Sequence, residues 1–457
     1  MGRGDGCGRT LRRRCVVRIL LVVHDYLPDH IGGTELHTHQ LARGLQAVGH
    51  DVRVVTTERC LDRREGEWVE REHAGVPVSE LIHQREYAHA FETVRSPFAA
   101  KQFAARLPEW KPDLVHFQHL AHFGAECVEL ASNYGAAVVV TLHDYHLLCQ
   151  AATLRRSDGE LCGDQDRARC TDCIGGLPFP ELEDTQPNKA ELEWLEFTRS
   201  RLALHDHFLR KAQAVITPSR FLFDRFEAAG LVQAGRWFRL KAGYPGTVHP
   251  PRPAPVGTLR VGYVGGIYPA KGVHVAVEAF GLLRGVNARL ELHGMLDWFP
   301  EYVAELRGLA EGSAVEFAGG FDPRNVDQVL AGLDLMVVPS VWYENMPLTI
   351  HEAYRCGIPV LVSDLGGMRE AVEDGRGGLR FPAGDARALA ELVRGLCEDR
   401  SRLAQLAQGR PAVPGVEQIV DRIEVLYDAC LAELRGEPGP SGDARLDDLR
   451  ITTGSHR

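Results

Sequence analysis

The proline-rich segment YPGTVHPPRPAPVG (244–257) constrains the fold more than any other stretch, because it holds five prolines in fourteen residues. Proline fixes φ and lacks a backbone N–H, so such a segment continues neither a helix nor a central strand. We interpret residues 246–257 as a linker between two domains. A chain of 457 residues is long enough for two hydrophobic cores of ordinary size.

The same order of elements occurs on both sides of this linker. The chain opens with an apolar run of strand length at 16–23, apolar residues at helical spacing at 32–50, and a second strand pattern at 51–57. Further strand patterns lie at 113–119, 136–144, 212–219, 259–266, 288–294, 314–320, 333–340, 358–364 and 377–382. Alternating strands and helices indicate parallel sheets covered by helices. We predict an α/β fold with two doubly wound, Rossmann-like domains facing an interdomain cleft, where the carboxyl ends of the strands bind ligands.

The predicted domain boundaries follow from these patterns. The N-terminal domain spans 16–245 and the C-terminal domain 258–415, and we expect a helix at 416–435 to return to the N-terminal domain. The two ends, 1–15 and 436–457, are polar and are expected to be disordered.

Composition excludes some classes of protein. A net charge of −10 and a pI near 6.1 argue against a nucleic-acid-binding protein, which needs clustered Lys and Arg. No apolar run approaches the roughly 20 residues of a membrane span. The start of the chain resembles a signal peptide, but Arg18 interrupts its short apolar run and no small-residue cleavage site follows. We therefore expect a cytoplasmic protein, in which contact with the inner face of the plasma membrane is compatible with the sequence.

A glycine-rich turn opens the second domain. In YVGGIYPAKGVHVAVEAF (263–280), a strand is followed by Gly265, Gly266 and Lys271 and then by a helix. A helix start offers free N–H groups and the positive end of a dipole to an anion, and Lys271 adds a full charge. Taken alone, such a stretch is more often a tight turn with a solvated lysine. The chain has no G-x-G-x-x-G or P-loop signature after a strand, which removes the main support for nicotinamide or P-loop chemistry.

Two glutamates lie eight positions apart in ENMPLTIHEAYRCGIPV (344–360). Glu344 follows the predicted buried strand 333–340, and Glu352 lies in the helix that Pro347 begins. Carboxylates so placed can hold two parts of one polar ligand, while amides near Met346 to Leu348 face an anion. From spacing alone, two solvated acids are an equally good interpretation.

These residues resemble the E-x7-E motif of the family-four retaining glycosyltransferases, usually E-G-x-P-x-x-x-x-E-A followed by G-x-P-V. The resemblance covers roughly 17–430 and rests on several further motifs in the family's order. They are GGTELHTHQLARGLQAVGHDVRVVT (32–56), TLHD (141–144), AKGVHVAVEAF (270–280) and GGMREAVEDGRGG (366–378). The resemblance implies a GT-B architecture in which the C-terminal domain binds most of a nucleotide-sugar donor.

The resemblance also implies a role for each matching residue. Glu352 would hold the ribose hydroxyls, Glu344 the transferred sugar and Lys271 the diphosphate, and His143 would lie beside the sugar. The other implied donor-binding positions are Gly32, Gly33, Gly265, Gly266, Met346, Pro347 and Leu348. We expect Glu344, Lys271 and His143 to be the catalytic residues, acting without a catalytic metal.

One position departs from the family pattern. Many relatives carry Arg where this chain has Gly266, so one expected diphosphate cation is missing. The remaining positive charge would come from Lys271, helix amides, and Arg369 or another basic residue.

The implied reaction is retaining transfer of a sugar from a nucleoside-diphosphate sugar, with UDP- or GDP-sugars expected, to a hydroxyl of a sugar or lipid-linked sugar. The expected setting is bacterial polysaccharide or glycoconjugate biosynthesis. Alternatives are an epimerase or phosphorylase on the same fold, and a catalytically degenerate sugar-binding or scaffold protein.

Four of the eleven cysteines cluster in a predicted insertion at 144–185, where acceptors would enter. Cys170 and Cys173 form a C-x2-C pair, but Cys149 and Cys162 are too widely spaced for a second one. A structural zinc and free thiols are equally good interpretations. Disulfides are less so in a reducing compartment.

Overall fold

A computed structural model of the protein describes residues 15–84, 90–156, 158–163, 170, 173, 187–438 and 443–451. Two sheets, one parallel and one parallel except for an antiparallel edge strand, are each covered by helices on both faces and form two α/β domains, which confirms the predicted fold class.

The N-terminal domain is built on an eight-stranded sheet with strand order β3-β4-β2-β1-β5-β6-β7-β8. Its strands are β1 (Arg18–Val22), β2 (Asp51–Arg59), β3 (Trp68–His73), β4 (Val76–His83), β5 (Leu114–Phe117), β6 (Ala137–Thr141), β7 (Ala214–Thr217) and β8 (Trp237–Arg239). Its helices are α1 (Gly33–Ala47), α2 (Pro97–Trp110), α3 (Glu126–Tyr134), α4 (Pro187–Leu209) and α5 (Arg220–Ala228).

The C-terminal domain is built on a seven-stranded parallel sheet with strand order β11-β10-β9-β12-β13-β15-β14. Its strands are β9 (Leu259–Val264), β10 (Ala288–His293), β11 (Val315–Gly319), β12 (Leu335–Val338), β13 (Val360–Ser363), β14 (Glu373–Asp374) and β15 (Gly377–Phe381). Its helices are α6 (Val273–Gly281), α7 (Pro300–Leu309), α8 (Val326–Ala331), α9 (Leu348–Arg355), α10 (Gly366–Ala371), α11 (Ala386–Glu398) and α12 (Ser401–Gly409).

Burial on both faces explains why the central strands are continuous apolar runs rather than alternating ones. In β1, Leu20 and Val22 pack into one core, while Ile19 and Leu21 pack into the core on the opposite face. Neither face of such a strand meets water, so most positions select an apolar side chain.

The sequence patterns missed the hairpin of β3 and β4. These strands pair antiparallel through the two-residue turn Ala74–Gly75, whose φ angles of +48° and +83° suit a primed hairpin turn. Strand β3 is the sheet edge and alternates exposed and half-buried residues, so it lacks the apolar run that marks the other strands.

The chain returns to the N-terminal domain after α12. Helix α13 (Val416–Arg435) packs in the core on the Ile19 face of that sheet, and the Tyr427 hydroxyl lies 2.7 Å from His116 Nδ1. The expectation of a disordered 436–457 is wrong for 443–451. There, helix α14 (Ala444–Leu449) buries Leu446 in the same core, and the Ile451 N–H donates to the Trp237 carbonyl on edge strand β8.

The expectations of disorder for 1–14, 439–442 and 452–457 lie outside the described residues. Within the described ranges, no helix combines the length and the apolar character needed to cross a membrane.

Candidate functional site

A cavity between the two domains contains most of the predicted site. Its volume is about 380 Å³. Gly32 and Gly33 of the N-terminal domain line one side, and the end of β9 and the start of α9 in the C-terminal domain line the other. Predicted site residues that line it are Gly32, Gly33, Gly265, Gly266, Lys271, Glu344, Met346, Pro347, Leu348 and Glu352. The fold therefore brings together residues up to 320 positions apart. Among the predicted donor-binding and catalytic residues, only His143 does not line this cavity.

Lys271 and Glu344 form an ion pair in this cavity, in which the glutamate is buried and the lysine half-buried. Lys271 Nζ lies 2.7 Å from Glu344 Oε1, and the same oxygen accepts hydrogen bonds from Ser340 Oγ at 2.9 Å and Trp342 Nε1 at 2.8 Å. Burial alone would raise the pKa of Glu344, but Lys271 and the two other donors outweigh it and lower the pKa. Glu344 is therefore a fixed anion, satisfied on one oxygen, and is poorly suited to act as a proton donor.

The turn that carries Lys271 allows a close approach only because Gly272 follows it. Gly272 has φ of +64°, and a Cβ at this position would lie 2.0 Å from the Pro339 carbonyl oxygen. Any other residue would push the lysine turn away from the end of β12.

Tyr268 lies against Gly266, the position at which the family resemblance leads us to expect Arg. A Cβ on Gly266 would lie 2.9 Å from Cε1 of Tyr268, whose ring centre is 5.7 Å from Lys271 Nζ. The ring thus occupies the space that a side chain at 266 would need. Arg369 does not replace the missing cation, since it is bound to Asp364 at 2.7 Å and does not line the cavity. In the described part of the chain, Lys271 is the one Lys or Arg that does.

Glu352 lies on α9 and faces the cavity without a partner. No hydrogen bond or ion pair from another described residue reaches its carboxylate. Burial raises the pKa of Glu352 to about 7, with Arg355 opposing and Asp327 adding to the rise. A buried carboxylate with unused acceptor capacity can take hydrogen bonds from two neighbouring hydroxyl groups of a ligand.

The start of α9 meets the glycine loop of the N-terminal domain. Pro347 is the N-cap of α9, and a Cβ on Gly33 would lie 3.3 Å from Leu348 Cδ1. Gly32 is the N-cap of α1, and a Cβ there would lie 2.4 Å from Glu35 Oε2. Two helix N-termini, from α1 and α9, thus contribute to one cavity, and both favour negative charge.

His143 lines a second, smaller cavity of about 150 Å³ that shares Gly33, Met346 and Leu348 with the first. Its Nε2 lies 2.9 Å from Gln118 Oε1, and its ring packs edge-on against His37 at 5.1 Å. Burial, and then His37, holds the pKa of His143 well below its usual range, so the imidazole is neutral at pH 7.

Asn345 is a further residue at the site that the sequence patterns did not single out. Its Nδ2 donates to the His143 carbonyl at 3.0 Å, and its Oδ1 accepts from Ser219 Oγ at 2.5 Å. Next to it, the Tyr343 carbonyl accepts from the Tyr145 hydroxyl at 3.1 Å. These bonds tie the loop of Glu344 to the N-terminal domain. In the sequence, the position of Asn345 between Glu344 and Met346 was the only sign of its role.

The four clustered cysteines lie beside the N-terminal core, on the chain that follows His143. None is in a disulfide. Burial, and then the neighbouring thiols of Cys149, Cys162 and Cys173, raises the pKa of Cys170 to about 11. Within the described ranges, no three His, Cys, Asp or Glu side chains are already assembled at metal-binding distances.

Comparisons with known proteins show which family the chain resembles. The family model "Glycosyltransferase Family 4" matches residues 31–237, and the model "Glycosyl transferases group 1" matches residues 258–399. The glycogen synthase of Mycobacterium tuberculosis is 27% identical over 416 residues, covering 84% of this chain and 86% of its own. The D-inositol 3-phosphate glycosyltransferase of Arthrobacter is 25% identical, covering 80% and 82%.

Solved structures show the same fold. Sucrose-phosphate synthase from Thermosynechococcus elongatus matches with a TM-score of 0.64 at 21% identity, over 91% of this chain and 99% of that one. Anabaena Alr3699/HepE, solved with UDP and glucose, matches with a TM-score of 0.60 at 19% identity, over 89% and 98%. The two family models together span most of both domains, and the chain belongs to the family-four glycosyltransferases of GT-B architecture.

Proposed function

We propose that this glycosyltransferase takes a sugar from a nucleoside-diphosphate sugar and transfers it, with retention of anomeric configuration, to a hydroxyl of a sugar or lipid-linked sugar. The observation that carries the proposal is the Lys271–Glu344 ion pair, which faces two helix N-termini in the interdomain cavity. A leaving diphosphate requires positive charge and N–H donors, and a sugar requires fixed acceptors nearby.

Each side chain has a separate task in this proposal. Lys271 neutralises the diphosphate as its bond to the anomeric carbon breaks, and amides at the start of α9 bind the same anion. Glu344, held by Lys271, Ser340 and Trp342, accepts hydrogen bonds from sugar hydroxyls. Glu352 accepts those of the ribose. No divalent cation is needed in this scheme, because the lysine and the helix starts supply the positive charge.

Retention follows from a front-face displacement. The acceptor oxygen forms the new bond to the anomeric carbon on the face that the diphosphate leaves, and the acceptor proton passes to the departing phosphate oxygen. A double displacement would require a free carboxylate as nucleophile. Glu344 is already engaged by three donors, and Glu352 is assigned to the ribose.

A nucleotide screen tests the donor site. UDP, GDP, ADP and TDP, each with a matching sugar conjugate, are added to the protein, and the melting temperature is measured. A ligand at 100 times its Kd stabilises the folded state by about 2.7 kcal/mol. We expect one base to dominate, with UDP or GDP favoured, and the shift to vanish in Glu352→Ala but not in Glu391→Gln, an exposed glutamate on α11.

An activity assay separates an enzyme from a degenerate binding protein. With the best donor and a panel of free and lipid-linked sugars, acceptor-dependent release of nucleoside diphosphate is expected, and NMR of the product should show the donor's anomeric configuration. Binding without release across the panel would favour the sugar-binding or scaffold alternative, and an inverted product would contradict retention. A cytoplasmic location, with or without contact with the plasma membrane, stays a prediction. A role in bacterial polysaccharide or glycoconjugate synthesis also stays a prediction.

His143→Ala is expected to lower kcat by about 10- to 100-fold, the loss of one hydrogen bond made in the transition state. The Kd of the donor should change little, because His143 lines the neighbouring cavity. His274→Ala is the matched control, since His274 is a half-buried histidine of the C-terminal domain that contacts Tyr302. Unchanged kcat in His143→Ala would remove His143 from the mechanism.

A further inference from the structure

The cysteine segment folds back on itself, which brings cysteines distant in sequence into one region of the N-terminal domain. Cys149 N–H donates to the Tyr145 carbonyl at 2.7 Å, and a short antiparallel hairpin around the bridge Arg155–Leu161 brings Cys162 back, with its N–H on the Leu154 carbonyl at 2.8 Å. Gln150 Nε2 donates to the Cys170 carbonyl at 3.2 Å. The chain thus returns twice to the same place.

The four cysteines are neighbours in the fold. The thiol of Cys170 has the thiols of Cys149, Cys162 and Cys173 as electrostatic neighbours. Cys149 and Cys162, although far apart in sequence, both pack against the core of the N-terminal domain. The spacing that argued against a second tight pair is thus overcome by the hairpin.

A buried cation beside these thiols supplies independent evidence. Arg201 on α4 is only 2% exposed, and its Nη2 donates to the His146 carbonyl. Its Nε and Nη1 are buried and have no hydrogen-bond partner among the described residues. The thiols of Cys149 and Cys170 and the carboxylate of Asp144 are its electrostatic neighbours. Asp144 is ionised, but its hydrogen bonds go to His119 and His146, so two donors of this deeply buried guanidinium still require acceptors.

We propose that Cys149, Cys162, Cys170 and Cys173 bind one structural zinc ion, with Arg201 as the counter-charge of the centre. Four thiols lose four protons when they bind Zn²⁺, so the tetrahedral centre carries a net charge of −2. Thiolate sulfurs accept N–H hydrogen bonds, so the two unpartnered donors of Arg201 gain acceptors and its charge is offset.

Zinc fits this group better than other metals. Soft sulfur ligands exclude Mg²⁺ and Ca²⁺, and a complete set of four thiolates leaves no open position for catalysis. Because a structural zinc holds its four ligands together only in the folded chain, the energy of binding becomes energy of folding for this segment.

The zinc centre lies on a chain segment that also forms part of the cleft. The chain from Asp144 to Cys149 joins the His143 loop to the cysteines, and Tyr145 within it donates to the Tyr343 carbonyl, next to Glu344. Arg201 and His205 hold the same stretch through the carbonyls of His146 and Leu147. Zinc would therefore fix the N-terminal side of the cleft rather than take part in transfer.

Metal analysis of the full-length protein tests the site. Purified under reducing conditions without chelators, it should contain about one zinc per chain, and Cys170→Ser or Cys173→Ser should lower this to below about a tenth. Cys60→Ser and Cys397→Ser are matched controls, since both are half-buried cysteines outside the group, and they should keep the metal. Substitution with Co²⁺ should give thiolate charge-transfer absorption and the d–d bands of tetrahedral cobalt.

Three results would overturn the zinc centre. The first is reduced wild-type protein that contains no zinc and does not retain added Zn²⁺, and the second is an equal zinc content in Cys173→Ser and Cys60→Ser. The third is protein without zinc in which thiol titration before and after reduction reveals disulfides among the four cysteines. None of them bears on the proposed transfer reaction. Arg201→Gln should bind zinc more weakly in a chelator competition, and unchanged affinity would contradict its role as counter-charge.

Discussion

Lys271→Met is expected to lower kcat/KM for sugar transfer by about 10²- to 10³-fold, the usual effect of removing one preorganised charge from the site where negative charge develops. The loss should be large because Lys271 is the one Lys or Arg of the described residues that lines the cavity, and Gly266 offers no second cation. Initial rates of nucleoside diphosphate release, measured at several donor concentrations, give the effect on kcat and KM separately.

The same substitution should also destabilise the free protein. It leaves the buried Glu344 with hydrogen bonds from Ser340 and Trp342 but no cation, and an uncompensated buried charge costs about 3 kcal/mol or more. Adding Glu344→Gln should recover most of this stability without recovering transfer. Urea denaturation of the two single variants and the double variant forms a double-mutant cycle that separates the structural role of the pair from the catalytic one.

Lys211→Met is the matched control for Lys271→Met, because Lys211 is a lysine of the N-terminal domain paired with Glu129 away from the cavity. It should transfer at the wild-type rate. Retention of more than about a third of wild-type kcat/KM by Lys271→Met would contradict the assignment of the diphosphate to this lysine, since the expected loss is far larger.

Local patterns predicted what depends on a few neighbouring residues. The central strands were visible because both of their faces are buried, and Glu344, Glu352 and Lys271 were visible through motif resemblance. The edge strand β3 was not visible in the sequence, because its residues alternate between exposed and half-buried. Nor was helix α14, whose two buried leucines, Leu446 and Leu449, make too short an apolar face.

Contacts between distant segments could not be predicted. The three donors that converge on Glu344 Oε1 include one 73 positions away, and Asn345 bonds to a carbonyl 202 positions away. The ring of Tyr268 next to Gly266 is also visible only in the fold. Likewise, only the fold shows that Arg201 is buried beside the cysteines.

Glu352→Gln is expected to weaken binding of the nucleotide sugar by about 10- to 100-fold, equivalent to about 1.5–3 kcal/mol for hydrogen bonds to a charged acceptor. The chemical step should change less, since the ribose is remote from the bond that breaks. Calorimetric titration with the nucleotide sugar that gives the largest thermal shift measures the Kd, and kcat at saturating donor measures the step. An unchanged Kd would exclude Glu352 from the donor site.

The raised pKa of Glu352 gives that prediction a pH dependence. Because its pKa in the free protein is about 7, wild-type affinity should fall as the pH is lowered from 8 to 6, whereas the glutamine variant should show a flat profile. A nucleotide sugar is the right probe, because the terminal phosphate of a free nucleoside diphosphate titrates near pH 6 and would obscure the change. A parallel fall in both proteins would show that another group is titrating.

Stability should change in the opposite direction to binding. A carboxyl group whose pKa rises from 4.5 when unfolded to about 7 when folded stabilises the protein least when ionised, so its contribution falls as the pH rises from about 4.5 to 7. Glu352→Gln removes this penalty and should make the free protein about 3 kcal/mol more stable at pH 8, with little gain at pH 4.5. Urea denaturation at both pH values measures the difference. If the carboxylate of Glu352 binds a ligand, the substitution should make the protein more stable and weaken donor binding. If Glu352 instead stabilises the fold, the substitution should make the protein less stable.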